Sequence, residues 1–315
     1  MCNNLTVKTK DFLAKVGERK PISEMSLQAA RDAFSEVQEL GYEVIDADVC
    51  DITITPENGE SFNAAMFRPA GNQETLPVIL YVHGGGWVVG GKDDYNMFMR
   101  KLCKKTNAVI VFPEYCLSPE AKFPVALNQV YETLEYIFEH ASDLNVHRDK
   151  IAIAGDSAGG NMAAVTAIRA LKSNGPKLKM QLLLYPVTDV DMDYHSFEKF
   201  EDGPWLTKKA MEWYFEQYLP NEHDKDNFHI SPIKASLDAL KGLPHTLVIT
   251  AENDILRDQG EYYAAKLDEA GVEAACVQIN GTIHDFLSLN GLAHTAPARI
   301  GLKIAAECLK RHLNT

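Results

Sequence analysis

No stretch of the chain approaches the ~20 consecutive apolar residues that a membrane-spanning helix needs. The opening residues, MCNNLTVKTKDFLAKVGERK, alternate polar and charged groups and contain no apolar run of the kind a secretory leader carries. Neither a membrane anchor nor export is therefore expected, and the cytoplasm is the default location. Cysteine is sparse. Cys2, Cys50, Cys103, Cys116, Cys276 and Cys308 form no CxxC or CxxxC pair and no even framework, and a chain of 315 residues needs no disulfide staples, so all six read as reduced thiols. Positive charge is in deficit. With 31 Lys and Arg against 44 Asp and Glu, the net charge of −13 opposes any grip on phosphate backbones or anionic lipid, which excludes nucleic acid as a partner. The acidic residues are scattered and form no tail, as on a well-solvated surface. Internal repeats and low-complexity tracts are also missing. What remains is an ordinary globular composition, 46% apolar, ample for a large buried core.

Apolar, β-branched runs recur along the chain: PVILYVHG from 77, NAVIVFPEY from 107, KIAIAGDS from 150, KMQLLLYPV from 179, HTLVITAEND from 245 and EAACVQING from 273. They read as strands buried on both faces. Helical patterns separate them, such as PVALNQVYETLEYIFEHA and QGEYYAAKLDEAG, the latter closed by Gly271. This alternation predicts an α/β fold with a mostly parallel sheet flanked by helices. Two antiparallel strands around the turn PENG are expected ahead of it. Two segments break the pattern: residues 1–42, with an amphipathic helix in SLQAARDAFSEVQEL, and residues 189–232, which carry two of the three tryptophans. Both are expected to fold over the C-terminal edge of the sheet, leaving 43–188 and 233–315 as the two parts of the core.

Gly155-Asp156-Ser157-Ala158-Gly159 matches GxSxG in the context that motif requires, with a buried strand before it and a strong helix after. A serine on so sharp a turn leaves no room for side chains two residues away on either side. The turn lifts the hydroxyl above the sheet, and the helix from Ala158 aims its N–H groups at a reacting carbonyl. Such a serine needs a base and a carboxylate to orient that base. Among the histidines, His284 in GTIHDF sits on the loop after a late strand, while Glu252, Asp254 and Asp258 all follow HTLVITA. Directly after PVILYV comes His83-Gly84-Gly85-Gly86-Trp87, a row of amides suited to an oxyanion.

Three rival signals fail on chemistry. GWVVGGK fits a Walker A loop until Asp93, a carboxylate where a hydroxyl must hold Mg²⁺. DVDMDYHSFEKF opens like a calcium loop but has Tyr194 where glycine must turn and Phe200 where glutamate must bind, so it reads as solvated surface. NEHDKDNFH, from 221, lacks a metal-ligand pattern and reads as a polar loop.

Together these stretches resemble the hormone-sensitive lipase family of α/β-hydrolases, the bacterial carboxylesterases with HGGG and GDSAGG. The segments EYCLSPEAKFPVAL, YPVTD, ISPIKA, LVITAENDILRDQG and GTIHDF match that family in order, from about Tyr81 to Phe286. The resemblance implies an α/β-hydrolase fold, with 1–42 and 189–232 as a helical cap. It implies Ser157 as nucleophile, His284 as base and Asp254 as orienting acid, because the family's carboxylate opens the run that reads DILRD here. Asp258 is then expected to cap a helix. The oxyanion hole would be the amides of Gly85, Gly86 and Ala158, His83 would support the loop, and Trp87 and Phe286 would lie near substrate. Cys116, Ser118 and Asp285 depart from the family pattern, Asp285 standing where glycine is usual. The implied activity is a serine carboxylesterase acting on small, short-acyl esters with no metal or organic cofactor. An amidase or deacetylase with the same triad, or a noncatalytic ligand receptor on the same fold, is the alternative. A homodimer is a family-level expectation only.

Overall fold

The computed structural model describes residues 4–17, 20–56 and 59–314. Its strands are β1 (Asp48–Ile54), β2 (Phe62–Arg68), β3 (Leu76–Val82), β4 (Val109–Pro113), β5 (Val146–Asp156), β6 (Leu178–Leu184), β7 (His245–Asn253) and β8 (Ala274–Ile283). They form one sheet in the order β1-β2-β4-β3-β5-β6-β7-β8. The β1–β2 and β2–β4 pairs are antiparallel, and every other pair is parallel. The expected two-stranded unit is therefore present. Its PENG turn falls partly on residues 57 and 58, outside the described residues.

The helices are α1 (Val7–Val16), α2 (Leu27–Glu39), α3 (Lys92–Thr106), α4 (Val125–Glu139), α5 (Ala158–Lys172), α6 (His195–Lys199), α7 (Lys208–Tyr218), α8 (Leu237–Leu240), α9 (Arg257–Glu269) and α10 (Ala296–Leu313). Successive side chains on a strand point to opposite faces, so an unbroken apolar run must be covered on both. On β3, Val78, Leu80 and Val82 pack into one core with Leu127 and Val130 of α4 and Met162 and Val165 of α5. Ile79 and Tyr81 face the other core, with Phe98 and Leu102 of α3 and Leu309 of α10. All strand carboxyl ends of the parallel set then point to one edge, where the loops gather.

Two helix ends show how local chemistry fixes boundaries. Gly271 ends α9 at φ +80, the left-handed conformation expected of it. Asp258 does not cap α9. It lies within the first turn and instead accepts the Ser196 N–H at 2.8 Å while pairing with Arg257 at 2.7 Å, so it ties α9 to α6. The acidic run at Asp189 is likewise less solvated than expected. Asp193 is exposed, but Asp189 is 2% exposed, because it accepts from the Tyr194 hydroxyl at 2.7 Å and pairs with Lys234 at 3.4 Å.

Helix α2 is fastened at both ends. Near its start Arg31 donates to the carbonyls of Val88 at 3.0 Å and Ser118 at 3.2 Å and pairs with Glu120. Near its end the buried Gln38 amide donates to Ser288 O and accepts from Asn290 N at 3.0 Å, while its carbonyl accepts from Asn290 Nδ2. Replacing Gln38 by alanine strands a buried N–H and a buried carbonyl, a cost of about 2 kcal/mol. Thermal unfolding of Gln38→Ala should show a Tm a few degrees below wild type, whereas an unchanged Tm would mean that water replaces these bonds.

Candidate active site

Ser157 sits at the bend between β5 and α5 with φ 51 and ψ −119, a conformation that costs a non-glycine residue roughly 1–3 kcal/mol and persists only where its surroundings hold it. The glycines of the motif make the bend possible. A Cβ on Gly155 would run into the Gly159 carbonyl, and one on Gly159 would run into the carbonyls of Val82 and His83. The backbones of β3, β5 and α5 thus pass closer than side chains allow. The Ser157 amide donates to Leu184 O at 2.9 Å, which anchors the bend to β6.

Around Ser157 the loops after β7 and β8 converge. Ser157 Oγ lies 2.9 Å from His284 Nε2, and His284 Nδ1 lies 2.6 Å from Asp254 Oδ2. The second Asp254 oxygen accepts the Leu256 N–H at 2.9 Å, which fixes the carboxylate in its loop. All three residues are at most 5% exposed. The other two acids on the β7 loop are engaged elsewhere. Glu252 accepts from Asn4 Nδ2 and from the Gly281 amide, and Asp258 holds α6 as described.

Gly85 and Gly86, at φ +82 and +59, line the same cavity as Ser157 and His284. A side chain at Gly86 would meet the Tyr214 ring of α7, and one at Gly85 would meet the Val89 carbonyl. Ala158 is the first residue of α5, with its amide at the helix N-terminus. His83 does not line the cavity and stacks on Tyr115 and Phe112 at 4.2 and 5.2 Å. Burial pushes its pKa down to about 3, so the ring is neutral.

Several side chains that the sequence reading passed over complete the site. Asp156, inside the serine motif, is fully buried and accepts from Tyr81 Oη at 2.8 Å, Tyr95 Oη at 2.9 Å and the Gly84 amide at 3.1 Å. Burial and then the charge of Asp285 raise it to about 7, against the pull of the two tyrosines. Tyr115 Oη donates to the carbonyl of His83 at 2.9 Å. No pattern in the sequence announces these tyrosines, although a carboxylate next to Ser157 is visible in the motif.

Asp285 occupies a left-handed position, φ 62, where glycine is the residue of least strain. Its Oδ2 accepts from Trp205 Nε1 at 3.0 Å, and its Oδ1 lies 3.3 Å from His284 Nε2. Burial alone would lower the His284 pKa. The carboxylates of Asp254 and Asp285, with the hydrogen bond to Asp254, outweigh it and raise the value to about 9.

The cavity has a volume of about 410 Å³, within the range of small-molecule sites. Its walls come from both irregular segments: Phe34 and Val37 on one side, Trp205, Leu206, Met211 and Tyr214 on the other. Neither Trp87 nor Phe286 lines it, contrary to expectation. Trp87 is 1% exposed and stacks on Tyr218 at 4.2 Å, and Phe286 packs against Tyr185 at 5.6 Å. Ring stacking and buried apolar area hold both inside, although Trp87 Nε1 finds no hydrogen-bond partner among the described residues. Among the described residues, the grouping of three His, Cys, Asp or Glu donors that fits a metal ion lies elsewhere, at His245, Glu273 and His312.

A family model described as an alpha/beta hydrolase fold matches residues 79–288. A thermostable esterase from Pseudomonas putida superposes with a TM-score of 0.96 at 38% identity, covering 99% of this chain and 98% of that one. A protein of Acanthamoeba polyphaga mimivirus, named only as an α/β hydrolase, is 38% identical over 98% of this chain and 88% of its own length. An ethyl acetate hydrolase of Pseudomonas putida is 30% identical over 94% of each chain. With its sheet order, its serine bend and these relatives, the chain belongs to the α/β-hydrolases, in the hormone-sensitive lipase group that its motifs resemble.

Proposed function

We propose that this chain is a serine carboxylesterase that hydrolyses small esters through an acyl-enzyme on Ser157. The observation that carries the reading is the unbroken hydrogen-bonded line from Ser157 Oγ through His284 to Asp254, opening on a glycine-walled cavity. Relatives named as an esterase and an ethyl acetate hydrolase support an ester as the substrate. A receptor on the same fold has no use for a base, and His284 within 2.9 Å of the serine favours the enzyme.

Ser157 Oγ attacks the ester carbonyl carbon as its proton passes to His284 Nε2. Asp254 holds the Nδ1–H and balances the imidazolium charge. The carbonyl oxygen, now an anion, accepts hydrogen bonds from the amides of Gly85, Gly86 and Ala158, each such donor contributing about 3 kcal/mol. His284 returns its proton to the leaving alcohol oxygen as the C–O bond breaks. Water then repeats the sequence on the acyl-enzyme and releases the acid. Residues 1–42 and 189–232 serve as the cap, a role supported by the cavity walls they supply. The cavity volume of about 410 Å³ supports short acyl chains. No helix among the described residues is long and apolar enough to cross a membrane. Cys50, Cys103, Cys116, Cys276 and Cys308 are free thiols, which supports a cytoplasmic location.

Ser157→Ala should lose p-nitrophenyl acetate turnover by at least about a thousandfold. It should also fail to take up the single organophosphonate label, read by intact mass, that wild type acquires. A folded wild type without turnover or label would overturn the proposal.

The base works only when deprotonated, so kcat/KM should climb with pH up to the His284 value of about 9. Removing the Asp285 charge destabilises the imidazolium, and Asp285→Asn should move that acid limb to lower pH. Coincident limbs would show that Asp285 does not act on the base. Asp285→Gly provides a second reading of the same shift without the left-handed strain.

A further inference from the structure

Parallel strands gather their loops at the carboxyl end of the sheet, and Ser157, Asp254 and His284 all lie there. A second group of chemically capable side chains lies at the opposite end. His245 is the first residue of β7, Glu273 immediately precedes β8, and His312 is in the last turn of α10. One donor atom from each lies within 4.8 Å of the other two. The two imidazoles pack with centroids 4.4 Å apart, and Glu273 Oε2 is 2.9 Å from His245 Nδ1.

That last pair has the length of a hydrogen bond but not its direction. His245 Nδ1 is sheltered from water and has no hydrogen-bond partner among the described residues. Two ligand atoms of a tetrahedral zinc, each about 2.1 Å from the ion, stand about 3.4 Å apart, so this pair needs to open by only about 0.5 Å to share one ion. His312 is fixed by its own helix. Its Nδ1 lies 3.0 Å from the Cys308 carbonyl, which only accepts, so the proton is on Nδ1 and the lone pair on Nε2. Metal-bound histidines commonly donate their second nitrogen to a backbone carbonyl in this manner. Glu273 is held beside β7 by its carbonyl, which accepts the Thr246 N–H at 3.0 Å.

We propose that His245, Glu273 and His312 form a site for a divalent transition-metal ion, zinc in the first instance, with water in the fourth position. Two imidazoles and one carboxylate suit Zn²⁺ and not the all-oxygen shells of Mg²⁺ or Ca²⁺. The donors must close by small side-chain rotations, which their partial exposure permits. The ion would join the end of α10 to the start of β7 and to the β7–β8 connection through α9. It sits one strand length, about 30 Å, from Asp254, so it stabilises the chain without touching the esterase reaction. The inference is independent of the proposed function.

The test uses the untagged full chain, stripped with EDTA and titrated with zinc chloride by calorimetry, with thermal unfolding followed in parallel. Wild type should bind one Zn²⁺ per chain and gain Tm with zinc but not with magnesium. His312→Gln and His245→Gln should each lose at least about tenfold in zinc affinity. Both variants should match the stripped wild type in Tm without metal, which shows that they fold. Absence of stoichiometric binding in wild type, or unchanged affinity in both variants, would overturn the site.

Discussion

The bend at Ser157 is held by backbone packed against backbone. The chain can turn from β5 into α5 only because Gly155 and Gly159 bring carbonyls into the space a Cβ would fill. That close packing couples elements far apart in sequence. The carbonyls of Val82 and His83 at the end of β3 are what Gly159 meets, so the glycine loop after His83 and the Ser157 turn are positioned against each other directly. The strain in Ser157 is local, and the rigidity that retains it belongs to three adjacent strands.

The buried Asp156 carboxylate extends this coupling. It gathers two tyrosine hydroxyls and the Gly84 amide, so the same residue pair, Asp156 and Ser157, holds the glycine loop after His83 and carries the hydroxyl. A carboxylate without water needs several donors, and here they come from β3, α3 and the loop between them. His83, flat between two aromatic rings and kept neutral, fills the remaining volume under the loop.

The elements legible in the sequence were those that one short stretch defines by itself. The strand runs, the serine turn and the HGGG loop each declare their own geometry through glycine placement and apolar continuity, and GTIHDF is placed by its loop after a late strand, whereas DILRD stands out only through the family resemblance. Choosing among Glu252, Asp254 and Asp258 from residues alone was not possible, since all three follow β7; only tertiary partners separate them, Gly281 for the first, His284 for the second and Ser196 for the third. Trp87 and Phe286 misled because proximity along the chain to a reactive residue does not fix the direction of a side chain. Both rings found apolar neighbours inside, and residues from distant segments, Trp205 and Tyr214 among them, took the cavity wall. The same limit hid the His245, Glu273 and His312 group, whose members come together only when α10 packs back across the sheet.

Helix α2 belongs to the irregular amino-terminal segment, yet its two anchors touch the loops on either side of Ser157. Arg31 grips the chain just beyond the glycine loop, and Gln38 grips the chain just beyond His284. An α-helix rises 1.5 Å per residue, so these anchors, about two turns apart, are spaced by roughly 10 Å along a stiff rod. The rod acts as a gauge block between the two loops. Its length is set by residue count and its face by the 100° step per residue, so one residue more or less between the anchors would change the gauge by 1.5 Å and swing one grip off its loop.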